Sequence, residues 1–147
     1  MMKTFWAAAV VCAAAFPQAA SAQVRDGVYR GTLVCGGQAM TGSQPRSAIE
    51  MTISGREVKY TRPVVEKGKT IGTEAGSGTL DGDKISLAGA WRSDRMGFEA
   101  AYTGSFVRRA SMTLAGSQAW TQDGKTVTRA CTGAAKRTPV LFRPKAR

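Results

Sequence analysis

Hydrophobic and polar residues alternate along much of the chain, which is typical of strands that bury one face. In "AIEMTIS", Ile49, Met51 and Ile53 share one face, and the residues between them share the other. "KISLAGAW", "FEAAYTGSF" and "ASMTLAG" repeat this alternation. The residues predicted to point inward there are Ile85, Leu87, Gly89, Trp91, Phe98, Ala100, Tyr102, Gly104, Phe106, Ala110, Met112 and Leu114. Helical periodicity is nowhere sustained, so the pattern predicts an all-β fold.

Polar segments that contain glycine separate the alternating runs and predict tight hairpin turns, because glycine tolerates positive φ. They are "SGRE" at 54–57, "LDGDK" at 80–84 and "TQDGK" at 121–125. The predicted strands lie near 27–35, 47–54, 57–63, 72–80, 83–91, 97–106, 109–120 and 125–132, with a further short one at 138–143. About eight short antiparallel strands in one small meander form either a closed barrel or a β-sandwich.

Two cysteines favour the barrel. Cys35 lies on the first predicted strand and Cys131 on the eighth. A disulfide between them requires Cα atoms within about 6 Å, so it would bring the two ends of the meander together. Closure also removes exposed strand edges. A redox or metal pair is disfavoured, because the chain has no Cys-x-x-Cys motif and no histidine. We therefore predict a closed barrel with one disulfide, and the β-sandwich is the alternative.

The N-terminus has the features of an export signal. Lys3 precedes the apolar run "FWAAAVVCAAAF", and "ASA" at 20–22 fits a cleavage site. The run is shorter than the roughly 20 residues of a membrane-spanning helix, so no transmembrane segment is predicted. Bulky Val11 argues against lipidation of Cys12. We expect a cleaved signal at 1–22 and a single domain at 23–147 that is periplasmic or secreted, where disulfides persist.

A short sequence repeat, called the echo below, predicts bending points in the barrel wall. Tyr29-x-Gly31 in "YRGTLV" is repeated as Tyr102-x-Gly104 in "YTGSFV". Glycine within a strand is typical of a bend or of close approach by another backbone. Small barrels need such points to curl. We therefore interpret the echo as part of the fold rather than as a binding motif.

The Gly27-x-Tyr29 of the first strand and Arg143 after the last one give a second architectural indication. They resemble the Gly-x-Trp opening and the closing arginine of lipocalin-like barrels, although tyrosine replaces tryptophan here. The resemblance implies a similar barrel architecture. We infer neither a ligand nor a binding site from this resemblance.

The chain carries no motif for catalysis. It has no histidine, no Gly-x-Ser-x-Gly elbow and no phosphate-binding Gly-x-x-x-x-Gly-Lys loop. Asp81 and Asp83 are close together, but they lie in a predicted turn, where aspartate is favoured for local hydrogen bonds. We expect no enzymatic activity, no metal site and no cofactor.

Positive charge is the strongest functional indication. The formal net charge is +11, and only one of the basic residues, Lys3, lies in the predicted signal. Such charge serves solubility or attracts an anionic partner, and both interpretations are open. A basic tail is expected at about 134–147. In an export compartment, the partner would be a lipid head group, an acidic glycan, a small anionic ligand or an acidic protein, and no dedicated nucleic acid partner is expected.

Two tryptophans and one arginine locate a candidate site. Trp91 ends an inward-facing strand before a polar loop, and it either plugs the core or walls a pocket. Trp120 has the same ambiguity. Arg129 shares a face with Val127 and Cys131, so it needs a partner such as Glu50, Glu74 or Glu99, or it marks an anion site. The candidate ligand-binding residues are Trp91, Arg92, Arg95, Trp120, Arg129, Arg108, Arg109, Lys67 and Lys69.

These patterns give two hypotheses. The first is a small exported, non-catalytic binding protein of a bacterial-type cell envelope, attracted to an anionic or amphipathic partner through a basic barrel rim. The alternative is a structural or protein-interaction module of the envelope without a small ligand.

Overall fold

A computed structural model describes residues 25–36 and 46–139, which form a closed barrel of eight antiparallel strands. The strands are β1 Gly27–Cys35, β2 Arg46–Ser54, β3 Glu57–Glu66, β4 Lys69–Asp81, β5 Lys84–Arg92, β6 Met96–Arg108, β7 Ser111–Gln122 and β8 Lys125–Arg137. Each strand pairs with its neighbours in sequence, and β8 pairs with β1. The predicted barrel is confirmed and the sandwich is wrong. Within this part of the chain, no helix has the length and hydrophobicity needed to cross a bilayer.

Strand ends differ from the predicted ones where pairing with a neighbour extends a ladder. β8 continues to Arg137 because it stays paired with β1 as far as Tyr29, so the predicted basic tail begins inside a strand. Ala110 lies exposed in the turn before β7 rather than on its inner face. Thr138 and Pro139 follow β8 outside any strand. The predicted signal, Arg143 and the rest of the tail lie outside the described residues.

The barrel closes where β1 meets β8. Seven residue pairs join these strands, from Tyr29 and Arg137 to Cys35 and Cys131. The two cysteines form the predicted disulfide across the last pair, with Cα atoms 4.0 Å apart. Both cysteines are buried. The covalent link therefore lies inside the barrel, beside hydrogen bonds that already join the two strands.

The alternating strand directions give the barrel two ends. We call the end that carries the turns at 67–68, 93–95 and 123–124 the tryptophan end. The opposite end carries the turns at 55–56, 82–83 and 109–110. Arg25 seals this opposite end. Its Nη2 donates to Asp83 Oδ1 at 2.6 Å, its Nη1 donates to the Arg109 carbonyl at 2.8 Å, and its guanidinium lies 4.1 Å from the Phe106 ring centre.

Glycines on the inner face leave room for large aromatic side chains. Gly76 of β4 and Gly89 of β5 are opposite each other in the ladder, and the Tyr60 ring packs against both, where a Cβ on either would overlap it. Gly31 of the sequence echo has another role, because a Cβ there would collide with the backbone of β8 at Ala134. These glycines let neighbouring strands approach closely and leave room for core side chains, as the sequence pattern predicts.

β2 and β3 separate toward the tryptophan end. Their ladder has five pairs, from Ser54 and Glu57 to Glu50 and Thr61, and pairing stops before Pro63, which has no N–H to donate. A surface groove of about 410 Å³ lies where the two strands diverge. Arg62, just beyond the last pair, points into the barrel and is buried.

Candidate functional site

Three aromatic side chains fill the inside of the tryptophan end. The register of β5, β6 and β7 puts Trp91 opposite Phe98, and Phe98 opposite Trp120. The Trp91 and Trp120 rings lie 5.9 Å apart, and those of Phe98 and Trp120 lie 4.6 Å apart. Both tryptophans are more than nine-tenths buried. Trp91 packs on Gly72, where a Cβ would overlap the indole. The tryptophans therefore plug this end of the core.

Arg129 lies beside this plug and points into the barrel. Its guanidinium carbon is 4.8 Å from the Trp120 ring centre, and its Nε donates to Gln118 Oε1 at 2.8 Å. The side chain is 5% exposed. Gln118 is the ladder partner of Arg129, and Trp120 lies two residues nearer the tryptophan end on the same strand as Gln118.

Of the three carboxylates considered as partners for Arg129, only Glu74 faces the interior. Glu50 pairs with Arg30 and Glu99 with Arg92, both on the outer surface. Glu74 has no solvent exposure, and it lies at the centre of a buried polar cluster. The other members of this cluster are Tyr60, Arg62, Tyr102 and Gln118.

Four donors surround the Glu74 carboxylate. Its Oε1 accepts from the Tyr60 hydroxyl at 2.7 Å and from the Tyr102 hydroxyl at 3.0 Å. Its Oε2 accepts from Gln118 Nε2 at 3.2 Å and lies 3.5 Å from Arg62 Nη1. The carboxylate is therefore saturated without Arg129.

Burial changes the pKa values of several groups in this cluster. It raises the pKa of Tyr60 and Tyr102, and the negative charge of Glu74 raises them further. Burial lowers the pKa of Arg129 to about 10, and the nearby positive charge of Arg62 adds to this effect. Arg129 is still protonated at neutral pH. Inside the barrel, the described residues thus place the two guanidinium groups of Arg62 and Arg129 against the one carboxylate of Glu74.

Predicted rim residues lie around the same end. Arg92 and Arg95 are in and next to the loop between β5 and β6, and Lys67 and Lys69 are in and next to the turn between β3 and β4. All four are exposed. Arg92 donates to Glu99 at 2.8 Å. A shallow groove of about 260 Å³ runs between the β5–β6 loop and the β7–β8 turn. Arg92 and Arg95 line it together with Asp94 and Asp123, so its charged lining is balanced.

The structure divides the predicted site residues between the two ends. Trp91, Trp120, Arg129 and the four rim residues gather at the tryptophan end, whereas Arg108 and Arg109 lie at the opposite end. The backbone carbonyls of Arg108 and Arg109 accept from Arg25, and their side chains are exposed. A single surface cannot include both groups.

Comparison with known proteins supports the fold. No family model matches the chain, and no curated protein matches it either. Among solved structures, it is similar to one described as a redesigned beta barrel, with a TM-score of 0.51 and 14% sequence identity. That match covers 78% of this chain and 92% of the other. At this identity, the likeness shows the barrel fold alone.

Proposed function

We propose that the protein is a small exported, non-catalytic binding protein of a bacterial-type cell envelope, and that it binds an anionic or amphipathic partner at the tryptophan end. The observation that carries this proposal is Arg129, a buried cation on the Trp120 ring without an ion pair among the described residues. A buried charge without a counter-charge is costly, and a bound anion would offset that cost.

Exposed basic residues lie around the tryptophan end. Lys67, Lys69 and Arg95 form no ion pair with the described residues. At the opposite end, Arg25 pairs with Asp83, and Arg56 approaches Asp81. Unpaired basic groups beside a protein surface raise the local concentration of anions and speed their encounter. Lys84, Arg108 and Arg109 at the opposite end also form no ion pair with the described residues, so the buried Arg129, and not the surface charge, distinguishes the tryptophan end.

The interior chemistry supports binding rather than catalysis. Hydrolysis of glycosidic bonds, for example, uses two carboxylates across a cleft. The carboxylate inside the described barrel belongs to Glu74, and its four donors hold it away from solvent. Export is supported by the N-terminal signal pattern, and the disulfide is consistent with an oxidising compartment.

Two matched variants test the proposal. Lys69→Gln/Arg95→Gln removes two charges at the tryptophan end, and Arg108→Gln/Arg109→Gln removes two at the opposite end. Binding is measured by co-sedimentation with phosphatidylglycerol vesicles and by retention on an acidic glycan, each across a salt series. At about 1 kcal/mol per basic residue near an anionic surface, we expect the first variant to bind about 10- to 30-fold more weakly and the second to bind nearly as well as the parent.

Equal losses in both variants would show that net charge acts without a defined face. Absence of binding to vesicles and glycan at low salt would contradict the proposal. Cross-linking in the envelope that then captured one stoichiometric protein partner would support the alternative, a protein-interaction module.

A further inference from the structure

We propose that the guanidinium of Arg129 is a specific site for a single carboxylate, bound through its two terminal nitrogens. This inference rests on the proposed function, because it assumes that ligands approach the tryptophan end. It adds a defined anion site inside the rim, with the carboxylate of a fatty acid or of an acidic sugar as the ligand group.

Hydrogen-bond donors exceed acceptors in this part of the barrel. Of the five N–H donors of Arg129, only the one on Nε has an acceptor among the described residues. Elsewhere in the described barrel, three buried atoms also lack a hydrogen-bond partner: the Nε of Arg62, the Nε of Arg25 and the Ser47 hydroxyl. Buried polar groups are normally paired, so each such group needs an explanation. For Arg129, a bound carboxylate would supply the acceptors that the donors on its two terminal nitrogens lack.

Glu74 makes no ion pair with Arg129, although its negative charge partly offsets the effect of burial on the pKa of Arg129. Both Glu74 oxygens already have two donor neighbours each, and Arg62 takes the ionic contact at 3.5 Å. Arg62 adds a second positive charge near Arg129. The combined field therefore attracts one further negative charge to the cluster.

The cluster also fixes the orientation of Arg129. Gln118 Nε2 donates to Tyr102 at 2.7 Å and to Glu74 at 3.2 Å, which leaves Oε1 to accept from Arg129 Nε and Trp120 Nε1. With Nε held by Gln118 and one face of the guanidinium held by Trp120, the edge formed by the two Nη atoms is left for a ligand. A pre-oriented edge lowers the entropy lost on binding.

The chemistry of that edge selects a carboxylate. Two parallel N–H bonds from one guanidinium match the two oxygens of a carboxylate, and such charge-assisted pairs are stronger than neutral hydrogen bonds. The Trp120 ring, on which the guanidinium lies, provides an apolar contact for the carbon next to the carboxylate. The site therefore recognises a carboxylate attached to an apolar or partly apolar group.

Isothermal titration calorimetry and tryptophan fluorescence test this inference on the purified protein. Octanoate represents a lipid-derived carboxylate, glucuronate represents an acidic sugar, and octanamide is the neutral control. We expect saturable binding of one or both carboxylates at one site, with a change in emission because Arg129 covers Trp120, and no saturable binding of octanamide. The preferred carboxylate identifies the source of the natural ligand.

Arg129→Met keeps the length and apolar stem of the side chain and removes its charge. Loss of a charge-assisted bidentate contact should weaken carboxylate binding by about 10- to 100-fold. Arg56→Met, which removes an exposed arginine in the 55–56 turn at the opposite end, is the control and should change the affinity for carboxylate by less than about threefold. If Arg129 has only a structural role, carboxylate binding will be absent in the parent, and Arg129→Met will lower the thermal midpoint. Ligand-induced thermal stabilisation of the parent protein by octanoate or glucuronate, but not by octanamide, tests the site even if Arg129→Met fails to fold.

The outcomes separate this inference from the proposed function. Vesicle or glycan binding that depends on the rim charges, combined with no binding of octanoate or glucuronate, overturns the carboxylate site and leaves the proposed function standing. Carboxylate binding equal in the parent and in Arg129→Met also overturns it. Saturable carboxylate binding that Arg129→Met abolishes and Arg56→Met retains supports it.

Discussion

Glu74 is the residue on which the polar interior depends. A buried carboxylate is tolerated only when hydrogen bonds and an opposite charge replace the water it has lost. Two tyrosine hydroxyls, one amide and one guanidinium do so here. Because the same amide also holds Arg129, the position of the proposed ligand-binding arginine is coupled to Glu74 through one side chain, Gln118.

The buried tyrosines predict loss of stability at alkaline pH. Tyr60 and Tyr102 have pKa values raised by burial and by Glu74, whereas tyrosines in the unfolded chain ionise near pH 10. Above about pH 10, the folded protein therefore binds more of these protons than the unfolded chain, and the free energy of unfolding falls as pH rises. Arg129 acts in the opposite direction, since its lowered pKa of about 10 releases a proton from the folded state first. Two tyrosines outweigh one arginine.

Urea unfolding at a series of pH values from about 8 to 11 measures this effect. Burial also raises the pKa of Tyr29, so Tyr60→Phe removes one of three such phenols. The free energy of unfolding of this variant should therefore fall less steeply above about pH 10 than that of the parent. Parallel curves for the two proteins would show that Tyr60 does not contribute to the alkaline transition.

Among the strands, β4 and β5 depend on small residues at facing positions. Gly76 and Gly89 form the slot that holds the Tyr60 ring and brings its hydroxyl to Glu74. A methyl group at position 89 would overlap that hydroxyl. We predict that Gly89→Ala lowers the free energy of unfolding by about 1–3 kcal/mol, the usual cost of overpacking a core.

Gly104→Ala provides the control for this substitution. A Cβ at Gly104 would lie 3.0 Å from the end of the flexible Leu114 side chain, which can move more easily than a backbone or a held hydroxyl. It should therefore cost less than Gly89→Ala in the same urea-unfolding measurement. The reverse order would mean that the slot around Tyr60 adapts to a methyl group.

The same strands show what a sequence pattern can predict. Alternation alone predicts the inner faces of Ile49, Leu87 and Phe98, because burying one face of a strand requires apolar residues at every second position. Following that alternation through β3, β4 and β7 would also have placed Arg62, Glu74 and Gln118 inside. Their polarity argued against the core, and their mutual hydrogen bonds depend on register across strands that are distant in sequence.

At the scale of the whole molecule, the two ends of the barrel differ in how their charges are paired. Arg25 closes one end with an ion pair, two backbone carbonyls and an aromatic ring. At the other end, aromatic rings form the plug, and Arg129 has hydrogen-bond donors that the described residues do not use. A basic chain thus has one end with its buried charge neutralised and one end at which an anion lowers the electrostatic energy.

Closure of the barrel by both hydrogen bonds and a disulfide leads to the last prediction. The bridge joins cysteines 96 positions apart, and a loop of that length restricts the unfolded chain enough to contribute about 4–5 kcal/mol in the chain-entropy account. Cys35→Ala/Cys131→Ala should lower the free energy of unfolding by about that amount. The sheet should nevertheless stay closed, because seven β1–β8 pairs remain. A typical domain is stable by about 5–15 kcal/mol, so the variant should still fold at low temperature.

Far-UV circular dichroism and urea unfolding distinguish the two contributions to closure. An unchanged native spectrum with a much lower urea midpoint is expected, and reduction of the parent protein should shift its midpoint in the same direction. A variant without sheet signal in native buffer would show that the hydrogen bonds cannot hold β1 and β8 together alone. An unchanged midpoint would contradict the entropic role of the bridge, because the unfolded chain would then gain no conformational freedom from its loss.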